Sequence, residues 1–202
     1  MYLQRSVLAI ALASLALAAL ARAAPASCAP SAATTLLVSG GARVYSLGAQ
    51  LYGCLGARRT RLGATRGSVP FPARRVALEA LNSPYAGIDV VDMGVDTLAS
   101  SVALVDLRTG ASTATAAATT PERRPESFMS VTSMAVDRKG TLAWIGERSA
   151  VGAFTPVYEV HALSSSGNRL LASATNIAPK SLRLRGDTLS WRAGGRTRSA
   201  TL

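Results

Sequence analysis

The sequence predicts an all-β fold made of repeated short hairpins, and three observations carry that expectation. Short apolar or alternating runs are cut at regular intervals by Gly, Ser, Asn and Asp from residue 34 onward. No window beyond Ala26 sustains a 3.6-residue apolar period for more than two turns, so no long amphipathic helix is expected. A hairpin pattern then recurs: Ser133 to Trp144 and Ser181 to Trp191 superpose with their tryptophans 47 residues apart.

The first 23 residues are expected to lie outside this fold. Arg5 precedes a run of about 15 apolar or small residues, and Ala21-Arg22-Ala23 places small side chains where a signal peptidase reads them. The run is short for a membrane span of roughly 20 residues, and no Arg-Arg pair precedes it. Cleavage after Ala23 would leave a 179-residue chain with no transmembrane span. It would also lower the cations from 22 to 20 against 11 acids, a charge of +9. Residues 24–33 then form an N-terminal extension and 34–202 a single β-repeat domain. In an oxidising, secreted or periplasmic compartment Cys28 and Cys54 are expected to bridge, tying the extension down.

Along the domain, Arg43 to Leu47 ends at Gly48 and Gln50 to Leu55 follows as its hairpin partner. Residues 74–81 suit a short helix by propensity and a strand by the alternation of Val76, Leu78 and Ala80. Val102 to Leu107 runs into the turn Arg108-Thr109-Gly110, and the Ala-, Thr- and Pro-rich stretch 110–130 reads as a linker. Val157 to Leu163 alternates up to the turn Ser164 to Asn168. A fainter copy of the tryptophan hairpin passes through Asn82-Ser83-Pro84 into Tyr85, so Tyr85, Trp144 and Trp191 are expected as repeated core positions. Units of about 45 to 57 residues with four short strands and a core aromatic describe β-propeller blades. The arithmetic gives about three, with residues 34–66 and 179–202 sharing one blade between the chain ends; a β-sandwich of the same hairpins is the alternative.

Arg43-Val44-Tyr45, Leu51-Tyr52-Gly53-Cys54-Leu55 and Val105-Asp106-Leu107-Arg108-Thr109-Gly110 together resemble exported bacterial propeller-like proteins of the broad TolB/YncE type. The resemblance extends loosely over residues 43–202. It implies a scaffold with a binding role in the envelope and carries over no catalytic residue.

Twenty of the 22 cations are Arg, and the densest group is Arg58, Arg59, Arg61, Arg66, Arg74 and Arg75. Guanidinium groups pair with phosphate and carboxylate through a planar fork, so these six are the expected anion-binding residues. An anionic cell-envelope polymer or another envelope protein is the implied partner. Nucleic acid is not, since no aromatic side chains interleave with these arginines for base stacking.

Catalytic signals are sparse. His161 is the only His, there is no Gly-x-Ser-x-Gly elbow and no Gly-rich phosphate loop, and no cofactor or metal is implied. Asp89, Asp92 and Asp96 lack the ligand order of a calcium loop. Asp137 to Gly140 and Arg185-Gly186-Asp187 read as plain turns, not as a sialidase-type turn or an adhesion motif. The leading expectation is therefore a non-enzymatic binding or scaffolding module. A small secreted hydrolase of glycan or ester is the alternative, and it would need two or more of Glu79, Asp89, Asp92, Asp106, Glu159 and His161 to converge in a deep polar pocket.

Overall fold

A computed structural model describes residues 28–66, 73–95, 97–121, 127–150, 152 and 154–202. The expected signal segment, 1–23, and Asp96 lie outside the described residues. The chain is all-β: among the described residues fifteen strands form four successive up-and-down meanders. The first contains β1 (Thr34–Ser39), β2 (Ala42–Leu47), β3 (Gln50–Leu55) and β4 (Arg58–Ala64). The second contains β5 (Ala73–Asn82), β6 (Tyr85–Met93), β7 (Leu98–Asp106) and β8 (Ala111–Ala117). The third contains β9 (Ser127–Val136), β10 (Leu142–Ala150), β11 (Val157–Ser164) and β12 (Gly167–Ala174). The last has three strands, β13 (Arg183–Arg185), β14 (Thr188–Ala193) and β15 (Arg196–Thr201). One parallel pair, Leu98 with Phe128, joins the second and third meanders into a single eight-stranded sheet. Among the described residues no helix is long and apolar enough to cross a membrane.

Two expectations are corrected. Residues 34–66 and 179–202 do not share a blade: each end builds its own sheet, and no sheet closes on itself. The stretch 110–130 is not simply a linker, because β8 and the start of β9 occupy both its ends. Its Thr and Ala residues alternate along β8, and Thr prefers the pleated strand surface to coil. Residues 74–81 resolve as strand, part of β5.

The layers are held by three apolar clusters. Ala42, Val44, Leu51 and Leu62 of the first sheet pack with Val76, Ala86, Ile88 and Val105 of the second meander. The other face of the second meander presents Ala80, Val102 and Leu104 to Leu142, Trp144 and Leu163 of the third. The third meander's opposite face sets Ala143, Ile145 and Val160 against Leu182, Leu189 and Trp191. Successive strand residues point to opposite faces. A meander covered on both sides therefore needs apolar residues at consecutive positions, and Leu142-Ala143-Trp144-Ile145 supplies four, all fully buried.

The repeat is visible in this packing. Trp144 and Trp191 each sit in the second strand of their meander and each face the meander before them. Tyr85 does not occupy the matching core place. It lies half-buried at the start of β6, after the cis Ser83–Pro84 peptide, with its ring against Gly140 of the β9–β10 turn. Three residues on, Ile88 fills the position facing the preceding sheet. Cys28 and Cys54 form the expected disulfide, which brings the Cys28 carbonyl to the hydroxyl of fully buried Tyr45 on the outer side of the first sheet.

Close approach of the layers depends on small residues. A Cβ at Gly146 would collide with the Ala118 carbonyl, a backbone group held in place by the Trp144 indole N–H at 2.7 Å. Gly146→Ala should therefore destabilise the fold by about 2–3 kcal/mol, the usual range for overpacking a tight core. Gly152→Ala, at an exposed position where the added carbon meets nothing within 4 Å, should lose less, owing only to its φ of +80°. Thermal unfolding of the two variants makes the comparison.

Candidate functional site

The six predicted arginines divide into separate settings. Arg58 donates from Nη1 to the Thr109 carbonyl at 2.9 Å, bracing the β7–β8 turn. Arg59 lies over the Tyr52 ring, 5.1 Å from its centroid, on the outer side of the first sheet. Arg66 is exposed in the bend beyond β4. Arg61, Arg74 and Arg75 come together: with Ser112 and Thr115 they line an open groove of about 530 Å³ where β4 passes over the second meander. A further depression of about 500 Å³ continues from it, sharing Arg74 and Thr115 and adding Asp92, Ala99, Ser101 and Ala117.

Local sequence explains this groove. The first sheet covers only the end of the second meander that carries Ala86, Ile88, Val105 and Leu107. Toward the other end the same face is Ala99, Ser101, Thr115 and Ala117, whose short side chains leave a shallow floor. Arg61 on β4 and Arg74 on β5 border that floor, while the charge of Arg75, the next residue along β5, acts on Asp89 of the opposite face. Arg74 reaches Asp92 at 3.6 Å, an exposed pair that leaves the groove cationic on balance.

The acids of the hydrolase reading do not assemble in an open pocket. Asp106 accepts from the backbone N–H, Nε and Nη2 of Arg108. That guanidinium holds its carboxyl below the usual carboxylate range, and its far end also reaches the Tyr85 hydroxyl at 2.9 Å. Asp92 pairs with Arg74 as above. Half-buried Glu79 is pushed up by burial.

Glu159 and His161 do meet, but inside the protein. Both point to the face of β11 that packs on the second meander, and they are 2% and 1% exposed. His161 Nε2 lies 2.9 Å from Glu159 Oε2, and its Nδ1 lies 3.3 Å from Asn168 Oδ1. The imidazole also stacks on Trp144, with centroids 5.0 Å apart and planes 5° apart. The Glu159 carboxylate further accepts the Thr120 N–H at 2.6 Å and Arg148 Nη2 at 3.3 Å. Burial alone would push this carboxyl up. The Thr120 amide and the His161 ring outweigh it and hold the group below the ordinary range. Every oxygen of this carboxylate has a partner inside the fold, so it tethers the β8–β9 connection to β11 and presents no base to solvent.

Asp89 is the contrasting case. It is 1% exposed on β6, its Oδ1 has no hydrogen-bond partner, and the neighbouring Ser100 hydroxyl makes no acceptable hydrogen bond either. Burial pushes its carboxyl up to about 7, with Ser100 and the Arg75 charge pulling the other way. Among the described residues no three His, Cys, Asp or Glu side chains are grouped to hold a metal ion.

Sequence reasoning passed over a second cationic surface. On the last sheet Arg183, Arg185, Thr188, Ser190 and Arg192 alternate with Leu184, Leu189 and Trp191, so one face is apolar and the other entirely polar. The signal was present as a strict period of two; it was read only for its apolar half.

The Asp89 shift fixes a pH dependence. Its folded value lies above the unfolded one, so its contribution to stability is full below about 3.8 and is lost as pH rises through about 7. Asp89→Asn should raise the melting temperature at pH 8, change it little at pH 4, and flatten the decline between them, as pH-resolved thermal scans will show. Compared with known families and with curated proteins, the chain matches neither a family model nor an individual protein.

Proposed function

We propose that the protein is an exported binding or scaffolding module of the bacterial envelope. In this reading it is a propeller-like open stack of four blade-type meanders that captures an anionic envelope polymer in the Arg61–Arg74–Arg75 groove. The carrying observation is that Arg61 and Arg74, from two separate strands and with Arg75 also at the lining, border one open groove whose floor passes from Leu62, Val76, Ile88 and Val90 to Ala, Ser and Thr. A shallow cationic trough suits a chain of carboxylates or phosphates, each paired with a planar guanidinium fork. The resemblance to the TolB/YncE type supports the same role, as does the disulfide, which fits an oxidising compartment. The hydrolase reading gains nothing from Glu159 and His161, whose hydrogen-bonding capacity is spent inside the core.

Two measurements test this reading. On an immobilised polyuronate, Arg61→Ala/Arg74→Ala/Arg75→Ala should bind about tenfold or more weakly than the unaltered protein, as three exposed ionic contacts of about 0.5–1 kcal/mol each imply. A control lacking Arg58 and Arg138, which lie outside the groove, should lose little; equal losses in both variants would reduce the effect to net charge and overturn the site. Intact mass and thiol titration of protein recovered from a secreting host should show loss of the first 23 residues and no free thiol. A retained N-terminus would contradict export by a cleaved signal.

A further inference from the structure

The outward face of the C-terminal sheet holds a depression of about 580 Å³ lined by Lys180, Ser181, Arg183, Ser190, Arg192 and Thr197, with no acidic residue among its lining. We propose that this face is a second binding site, specific for a linear polymer of phosphodiester groups, and independent of the groove reading.

The site is built by backbone as well as charge. Ser181 Oγ donates to the Ala178 carbonyl at 2.7 Å and accepts the Arg192 N–H at 2.9 Å. This seats segment 178–181 beside β14 and raises one wall of the depression. Arg183 Nη1 is anchored on the Leu182 carbonyl at 2.6 Å, which leaves the rest of its fork for a ligand. Cross-strand register then fixes the array: Arg183 lies opposite Ser190, Arg185 opposite Thr188, and Arg192 opposite Thr197. Same-face residues on one strand are about 7 Å apart and neighbouring strands about 4.8 Å apart, so the cations form a spaced row with hydroxyls between them. A compact single anion would meet one cation of that row, whereas a linear polyanion meets them in succession. The Thr188 and Thr197 hydroxyls choose the group, since Ser181 and Ser190 already donate to the Ala178 and Arg183 carbonyls. After pairing with one guanidinium fork a carboxylate keeps in-plane lone pairs only, while the tetrahedrally splayed non-bridging oxygens of a phosphodiester offer more directions to an adjacent Thr donor. The one acid on this sheet's turns, Asp187, is already held by Lys139 at 2.6 and 2.8 Å.

Trp191 borders this depression from behind: its ring packs on the sheet's inner face, 5% exposed and with its indole N–H unpaired, and its emission reports on the strand that carries Ser190 and Arg192. Titration with poly(glycerol phosphate) should change its fluorescence saturably, and Trp191→Phe should abolish the change. Arg183→Ala/Arg192→Ala should bind about tenfold or more weakly, with the slope of log affinity against log salt shallower by about 1.4 for two lost phosphate contacts. Arg58→Ala/Arg138→Ala should keep the native affinity, and the groove triple variant should keep the Trp191 response. Unchanged melting temperatures will show that the exposed substitutions leave the fold intact, and Arg183→Lys/Arg192→Lys should recover only part of the loss. The proposal is overturned if no saturable change occurs, or if both double variants bind alike. It is equally overturned if poly-glutamate binds as tightly as poly(glycerol phosphate), which would assign the face to polyanions in general.

Discussion

The structure depends on one constraint: its two central meanders are covered on both faces. Sheets stack about 10 Å apart, and each central strand must fill that gap above and below itself. The requirement explains why β10 reads Leu-Ala-Trp-Ile with no polar interruption, and why every layer meets the next through a continuous apolar cluster. It also explains the glycines inside strands. Gly53 makes room for Leu107 and Gly87 for Leu142, while Gly146 admits the Ala118 carbonyl. A side chain at Gly53 or Gly87 would force the facing leucine to shift, and one at Gly146 would displace backbone.

Polar groups caught between the layers follow from the same constraint. Trp144 fills the gap between the second and third meanders, and its buried indole N–H must find an acceptor, which the Ala118 carbonyl provides. The chain just beyond that carbonyl is then anchored by Glu159 through the Thr120 amide, with His161 and Arg148 completing the carboxylate's shell. An unpaired buried carboxylate would protonate or destabilise the fold. Glu159 and Asp89 show the two outcomes: partners outweigh burial at the first and hold it ionised, while burial outweighs Ser100 and Arg75 at the second and drives it toward neutrality. Acids that look catalytic in a linear reading are here consequences of closing a β-stack around its own connections.

The all-β class, the turn positions and the core places of Trp144 and Trp191 were legible because each depends on neighbours close in sequence, and the disulfide because the sequence holds two cysteines and one possible pairing. Gly-containing turns and period-two alternation are local, and so is the recurrence of a hairpin with Trp in its second strand. The fate of the chain ends was not legible. Whether residues 34–66 pair with 179–202 depends on how sheets stack through space, and hairpin spacing is silent on that. Tyr85 was misplaced for a similar reason: it lies at the start of its strand like Thr188, three residues before the inward-facing Ile88 as Thr188 is before Trp191. At the groove, clustering in sequence brings Arg61 and Arg74 close along the chain but cannot separate them from Arg58, Arg59, Arg66 and Arg75, since a strand sends neighbours to opposite faces. The groove floor of Ala, Ser and Thr went unread because small residues carry meaning only when something overhangs them.

The polarity of the two terminal layers follows from what they do not touch. A repeat that continued would need an apolar outer face on each end sheet, as the central meanders have on both sides; a polar outer face stops the stack. The C-terminal sheet stops it with rows of Arg, Ser and Thr. On the outer side of the first sheet the disulfide-bound Cys28 lies against fully buried Tyr45, which stacks on Tyr52, and exposed Arg59 crosses the Tyr52 ring. Both end layers therefore carry exposed guanidinium groups, and bringing them together would set like charges against each other while desolvating both. Ring closure and head-to-tail association are opposed by the same residues. With growth of the stack blocked, the arginines of the end layers stay in water, where an anion can reach them.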